Sequence, residues 1–397
     1  MHVLYLVGQS TGGLPHYTAE LANAMTNYAD VTVMKPAETT GDDLFDDDVQ
    51  LIDAFDPIGV SMPQLYSFDV NPLDFVKGFL SYNNVKQIKQ LDPDIVHDTT
   101  DLFPQVKLFA KLHRIDKFCP FIVTRHEVSK SRFSISRPPV FVEELMDLAI
   151  PDLDLARVVV HTKKQKRAML SRGVTADHID IIPHGAYTVF GSKDDVDTAP
   201  EKNTLLFFGN IVTPKGLDTL VKAIPLVKRD VPDVKLLIAG EGRIPNRVQS
   251  IVEAHEENFE VHNYFVPNQQ VRELFARTEV VALPYRSQGG TKGHSGALAT
   301  AFSFGKPVVA STAGEFTSLV ADSGCGLVVP PEDPTQLAAA ITQILRDDDG
   351  KREMAANSSR MADELSWGNI AQQYLAVYER ALRKKATPQM ETTTWTR

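Results

Sequence analysis

The stretch ALPYRSQGGTKGHSGALATAFSFGKPVVAS, Ala282 to Ser311, decides how the chain is read. It has the pattern strand, loop, helix, turn, strand. Val280 to Leu283 is an apolar strand end that Pro284 and Tyr285 stop. A loop with Gly289, Gly290 and Gly293 follows, then a small-residue helix over Ser295 to Phe304. Gly305-Lys306-Pro307 closes that helix, and Val308 to Ala310 is a second buried strand. A glycine-rich loop lets backbone N–H groups come close to an anion, and a helix N-terminus adds unpaired N–H groups and a partial positive charge. Gly293 to Ala297 therefore reads in two ways. It is a cradle for the phosphates of a ligand, or a plain βαβ connection whose glycines serve shape alone.

The same alternation extends on both sides. Thr204 to Phe208, Val234 to Ala239, Phe259 to Tyr264 and Gly326 to Val329 read as strands, with helices such as Leu217 to Arg229, Val271 to Ala276 and Thr335 to Leu345 between them. Before them, His2 to Val7, Val31 to Met34, Asp94 to His97, Phe121 to Thr124, Arg157 to Val160 and Ile179 to Ile182 form a first set. The helical patterns after Gly12-Gly13, over Leu102 to His113 and over Lys163 to Arg172 separate these strands. The result is an α/β chain with two doubly wound parallel sheets, one per domain. Polar Tyr187 to Lys202 reads as the linker. A last amphipathic helix, Trp367 to Lys385, places Ile370, Tyr374, Val377, Tyr378 and Leu382 at helical spacing. The expected division is 1–186, a linker 187–202, 203–365, a final helix 366–385 and a disordered Thr-rich tail 386–397.

With 397 residues the chain is long enough for two cores. Hydrophobic residues at 43% and charged residues at 23% fit a globular composition, and a net charge of −10 disfavours a nucleic-acid partner. Cys119 and Cys325 read as buried thiols in a reducing compartment. No Cys/His spacing suggests a metal. Met1 runs straight into a strand with no signal-peptide pattern, and no apolar run reaches the roughly 20 residues of a membrane span. The acidic run Glu38 to Gln50 reads as a solvated connection, with a metal site as the alternative. The basic run Lys163, Lys164, Lys166, Arg167, Arg172 is either a patch for anionic headgroups or a phosphorylated acceptor, or an ordinary solvated face. Phe133 to Val142 is an acceptor-side loop or a simple connection.

Several motifs, in this order, carry a resemblance. GGLPHYTAELANAM, IVTRHE, VVVHTKKQKRAML and IDIIPHGAY lie in the first half. FGNIVTPKG, VKLLIAGEG, the opening stretch and GLVVPPEDPTQLAAAI lie in the second. Together they resemble the family 4 glycosyltransferases, over almost the whole chain. The resemblance implies the GT-B fold, two Rossmann-like domains facing a cleft. It also implies retaining transfer of a sugar from a nucleotide donor to an acceptor hydroxyl, without a required metal or other cofactor. The donor would lie mostly on the second domain and the acceptor on the first.

The resemblance also implies roles. Lys215 would neutralise the leaving diphosphate. His126 would stand near the reacting sugar, and Gly13 near the donor phosphate or the acceptor. Gly240 and Gly242 would pass close to the base or ribose. Asn210 replaces a common arginine. Where the family commonly has two glutamates eight positions apart, this chain has Lys292 and Thr300. Ser318 stands where another glutamate is common. The variant donor loop is then Lys292, Gly293, His294, Ser295 and Gly296, with Thr300 offering a hydroxyl. The expected partners are a nucleotide-sugar donor and a glycan or lipid-linked acceptor, with a peripheral contact to anionic membrane and no nucleic acid. The expected location is the cytoplasm, at the inner face of the membrane. A GT-B scaffold that binds nucleotide sugars without transfer is the competing reading. A GT-B epimerase is disfavoured by the motif order and the Lys215 loop.

Overall fold

The structure is a computed structural model that describes residues 1–57, 71–129, 149–191, 200–286, 290–292 and 295–386. The Phe133 to Val142 loop, half of the linker (192–199) and the tail after Ala386 lie outside these residues.

Strands β1 (His2–Leu6), β2 (Asp30–Pro36), β3 (Gln50–Phe55), β4 (Ile95–Asp98) and β5 (Phe121–Arg125) belong to a seven-stranded parallel sheet. The short β6 (Glu127–Ser129) stands outside it, and β7 (Leu155–Val160) and β8 (Ile179–Ile181) complete it in the order β3-β2-β1-β4-β5-β7-β8. A second parallel sheet contains β9 (Thr204–Phe208), β10 (Lys235–Ala239), β11 (Phe259–His262) and β12 (Val280–Leu283). After the short β13 (Gly290–Lys292), β14 (Val308–Ser311) and β15 (Gly326–Val329) finish it in the order β11-β10-β9-β12-β14-β15. Both sheets are apolar on both faces, as parallel sheets covered by helices must be. Val3 and Tyr5 pack on one face of the first sheet, Leu4 and Leu6 on the other. Leu206 and Leu205 divide the second sheet in the same way.

Elements absent from the sequence reading include β3, the helix Pro72–Ser81, the helix Asn246–Ala254 and the helix Asp348–Glu364. The acidic run before β3 is tied by charge. Buried Lys35 reaches Asp42 at 3.0 Å and Asp53 at 2.7 Å. Among the described residues no group of His, Cys, Asp or Glu could hold a metal ion, and no helix is long and apolar enough to cross a membrane. Cys119 and Cys325 are buried and are not joined in a disulfide.

The helix Trp367–Ala386 packs on the first sheet, with Ile370, Tyr374 and Tyr378 in the cluster that contains Val3 and Tyr5. Its tyrosines bury their hydroxyls, so each needs a partner. Tyr374 Oη lies 2.6 Å from Tyr17 Oη and 2.9 Å from Thr124 Oγ1. Tyr378 Oη lies 3.1 Å from Tyr5 Oη and 2.7 Å from His97 Nδ1. Burial pushes His97 down to about 3, so this core histidine stays neutral. Tyr374→Phe should destabilise the protein by about 1–2 kcal/mol, because Tyr17 and Thr124 each lose a partner. Tyr374→Ala should cost about 3–5 kcal/mol. Urea unfolding measures both, and equal losses would show that the hydroxyl carries the whole effect.

Candidate functional site

The loops at the carboxyl ends of the two sheets meet at one seam, where open α/β sheets place their ligands. Tyr187 marks its centre. Its hydroxyl donates to the Gly13 carbonyl at 3.0 Å, at the start of the helix Gly13–Met25. A Cβ on Gly296 would lie 3.2 Å from the same tyrosine ring, at the start of the helix Gly296–Ser303. Two helix N-termini, one from each half of the chain, therefore approach a single side chain. Further bonds close the seam. His16 Nε2 pairs with Asn268 Oδ1 at 3.0 Å, and Asn268 Nδ2 donates to Asp43 Oδ1 at 3.0 Å. Strands β6 and β13 pair antiparallel across it, Lys292 opposite Glu127 and Gly290 opposite Ser129.

On the second sheet's side, Lys215 ends the 3-10 turn Thr213–Lys215 after β9. The turn is stitched to the strand-loop junction after β12, where Arg286 N donates to the Pro214 carbonyl at 2.9 Å. Lys215 Nζ donates to Tyr285 Oη at 2.5 Å, and Tyr285 Oη lies 2.6 Å from Ser295 Oγ. Among the described residues no carboxylate lies within ion-pair distance of Lys215. Ser295 sits at the N-cap of the helix Gly296–Ser303 but does not cap it, so among the described residues no side chain takes the helix's first N–H groups. The half-buried Asn210 makes no side-chain hydrogen bond among the described residues. A lysine ammonium is thus linked through Tyr285 to the N-cap residue of the helix Gly296–Ser303.

Gly240 and Gly242 have an internal reason to be glycine. Both have positive φ, 150° and 152°, and a Cβ would fall 2.2 Å from the Gly209 carbonyl oxygen and 2.3 Å from that of Ile211. They let the two loops after β9 and β10 lie together, which accounts for both residues before any ligand is considered.

Thr300 differs from expectation. It is fully buried, and its hydroxyl donates to the Gly296 carbonyl at 3.0 Å inside its own helix, so it presents no hydroxyl to the seam. Lys292 lies on β13; Gly293 and His294 are outside the described residues.

His126 stands at the end of β5, but neither ring nitrogen is free. Nε2 faces the Thr99 carbonyl at 2.9 Å and Nδ1 faces His161 Nε2 at 3.1 Å. His161 Nδ1 in turn lies 2.9 Å from the Ile182 carbonyl, and a neutral His126, with one N–H, donates to only one of its two neighbours. The imidazole is therefore held within a buried histidine group that also contains His184, and the expected ring contact to a sugar hydroxyl is not available in this arrangement. Burial pushes His126 down to about 3 and His184 to about 4, so both are neutral near pH 7. The His126 turn rests on Asp101, whose φ of 74° is left-handed. Its Oδ1 accepts from His126 N at 2.6 Å. Burial lifts Asp101 to about 7.

The family model for Glycosyltransferase Family 4 matches residues 11–189, and that for glycosyl transferases group 1 matches residues 202–347. Between them the two models cover the second sheet and all of the first except β1. The chain belongs to the family 4 glycosyltransferases. Phosphatidyl-myo-inositol mannosyltransferase of Mycolicibacterium smegmatis is 26% identical over 376 residues, 93% of this chain and 90% of that protein. Among solved structures, sucrose-phosphate synthase of Thermosynechococcus elongatus superposes with a TM-score of 0.70 at 18% identity, covering 98% of this chain and 100% of that one. HepE of Anabaena, solved with UDP and glucose, gives 0.68 at 17% identity, with coverages of 96% and 99%. The two parallel-sheet domains of this glycosyltransferase are thus a GT-B fold.

Sequence reasoning missed Tyr187, Tyr285 and Glu20. A tyrosine just past a strand or motif carries no spacing signal, and Glu20 looks like any helical glutamate. Glu20 is only 5% exposed, yet it holds the chain where it passes between the domains. Its Oε1 accepts from the N–H groups of Thr188 and Val189, the latter at 2.9 Å, and Oε2 accepts from Thr188 Oγ1 at 2.9 Å. Burial outweighs these bonds and raises Glu20 from 4.5 to about 7. A carboxyl raised on folding contributes stability that is complete below its unfolded value and is lost as pH rises through the folded one. Glu20→Gln removes this titration. Its stability relative to the wild type should therefore rise between pH 5 and pH 8, by about 2–3 kcal/mol at most. Chemical unfolding at the two pH values checks this, and a relative fall would show that the three donors favour the charged form more than burial disfavours it.

Proposed function

We propose that this glycosyltransferase moves a sugar from a nucleotide-sugar donor to an acceptor hydroxyl with retention of anomeric configuration. The acceptor is a glycan or a lipid-linked saccharide. The observation that carries this reading is Lys215, a cation without a carboxylate partner among the described residues, held beside the uncapped N-terminus of Gly296–Ser303. A diphosphate would complete both, since its charge meets the ammonium and its oxygens accept the free N–H groups. The UDP in the HepE structures supports a nucleotide donor, and the name of the mannosyltransferase relative supports an inositol-containing lipid acceptor. Gly13, Asn210, Lys215, Ser295 and Gly296 form the proposed donor contacts, together with the β13 loop. His126 acts through the turn it holds, with its ring nitrogens engaged inside the protein.

In this reading the bond between the anomeric carbon and the phosphate oxygen breaks while the acceptor oxygen bonds to that carbon on the same face. The departing phosphate takes the acceptor's proton. Lys215 and the helix N-terminus stabilise the charge that develops on the leaving oxygen. The closed seam excludes water, which limits hydrolysis of the donor.

Two surfaces support a membrane-borne acceptor. The helix Pro72–Ser81 exposes Leu73, Val76 and Leu80 on one face, at 80%, 51% and 58%. The helix Lys163–Ser171 exposes Lys163 and Arg167. Apolar and basic side chains together favour an anionic interface. The protein should therefore sediment with anionic vesicles more than with neutral ones, and Val76→Asp with Leu80→Asp should reduce that binding. Equal sedimentation with both vesicle types would count against the basic contribution.

A panel of nucleotide sugars, offered with membrane extract as acceptor, tests the activity through nucleotide release and the anomeric configuration of the product. Release with at least one donor is expected, and Lys215→Ala should lower kcat about 100- to 1,000-fold. Binding without release across the panel would instead favour a scaffold that binds nucleotide sugars without transfer.

A further inference from the structure

Tyr285 has two polar neighbours; chemistry fixes the direction of one bond, and the other is assigned so that the phenolic hydrogen has an acceptor. An ammonium group has only hydrogens to give, so at 2.5 Å Lys215 Nζ must donate and Tyr285 Oη must accept. The single phenolic hydrogen then needs another acceptor, and Ser295 Oγ lies 2.6 Å away. That leaves the Ser295 hydrogen. A serine at an N-cap ordinarily turns its oxygen onto the N–H groups of its own helix, and Ser295 does not. With its oxygen taken up by Tyr285, its O–H has no acceptor among the described residues and can donate beside the helix N-terminus.

The tyrosine is built to hold this position. It is only 9% exposed, and its ring meets Phe316 edge-on at 5.1 Å. Its backbone carbonyl accepts from Ser311 Oγ at 2.5 Å, and its N–H donates to the Leu283 carbonyl at 2.9 Å. Lys215 Nζ also lies 4.7 Å from the ring centroid, a contact that does not need the hydroxyl.

We propose that Tyr285 is a positioning residue of the donor site, whose hydroxyl aligns Lys215 and turns the Ser295 hydroxyl outward as a hydrogen-bond donor to the diphosphate of a nucleotide. The relay Lys215, Tyr285, Ser295 moves no proton; it orders three donors in one direction before the ligand arrives. This rests on the reading that the diphosphate binds at Lys215 and the helix N-terminus.

The test measures binding to the full-length protein of UDP, GDP and ADP, then carries the tightest of the three and its parent nucleoside through a variant series. Tyr285→Phe keeps the ring, its packing and its contact with the ammonium, and removes only the hydroxyl. It should weaken diphosphate binding about 10-fold and leave nucleoside binding unchanged. Ser295→Ala should do the same, whereas Ser295→Thr, which keeps a hydroxyl, should retain affinity. Because the two hydroxyls act as one unit, the double variant should lose no more than about 10-fold in all. Wild-type affinity in Tyr285→Phe, or a double variant that loses the product of the single effects, would overturn the relay. If Lys215→Ala is weakened while Tyr285→Phe is not, the relay alone fails. If Lys215→Ala binds the diphosphate as the wild type does, the donor-site reading fails and takes the relay with it.

Discussion

A lysine whose charge has no carboxylate to meet it, among the residues described, is the feature on which the rest of the site depends. A partly buried ammonium is costly unless something anionic stands opposite or strong dipoles surround it. Lys215 has a phenol and a π-face instead, and the helix Gly296–Ser303, linked to it through Tyr285 and Ser295, offers an N-terminus, which repels rather than compensates. Such an arrangement is poor for a resting protein and good for one that receives an anion. The surrounding bonds serve to hold the cation where it is. The turn that carries it is tied to the segment after β12, and the tyrosine of that segment is tied to the N-cap residue of the helix.

The second constraint is the seam. Each sheet is a complete, doubly covered core, and each could place its loops without the other. What fixes them together is a small set of directed contacts. The buried carboxylate of Glu20 takes three donors from the chain between the sheets. Tyr187 touches the starts of one helix from each side. The last helix returns to bury Tyr374 and Tyr378 against the first sheet. Few of these contacts are large apolar surfaces, which is consistent with two domains that must part to admit a ligand.

Most of the architecture was legible in the sequence because parallel strands buried on both faces are short runs of Val, Ile and Leu, and glycines mark their ends. β9, β12 and β15 fall where the pattern puts them. β3 was hidden because QLIDAF carries two polar residues and follows an acidic run. The helix Pro72–Ser81 was hidden because its apolar face is left exposed rather than turned to a core. At the site, Lys215 and the helix N-terminus could be read from motif and spacing. The relay through Tyr285 could not, since hydroxyl direction depends on three residues brought together from separate loops. The family resemblance had offered Thr300 a ligand, although its hydroxyl bonds within its own helix, and had placed the His126 ring by the sugar, although both its nitrogens face protein atoms.

The most direct measurement is a crystal structure of the protein with the nucleoside diphosphate it binds most tightly. The account predicts the diphosphate against the N–H groups of Gly296, Ala297 and Leu298, with the Lys215 ammonium within hydrogen-bond distance of a phosphate oxygen. A diphosphate bound elsewhere, or one at this helix with Lys215 still directed only at Tyr285, would contradict it.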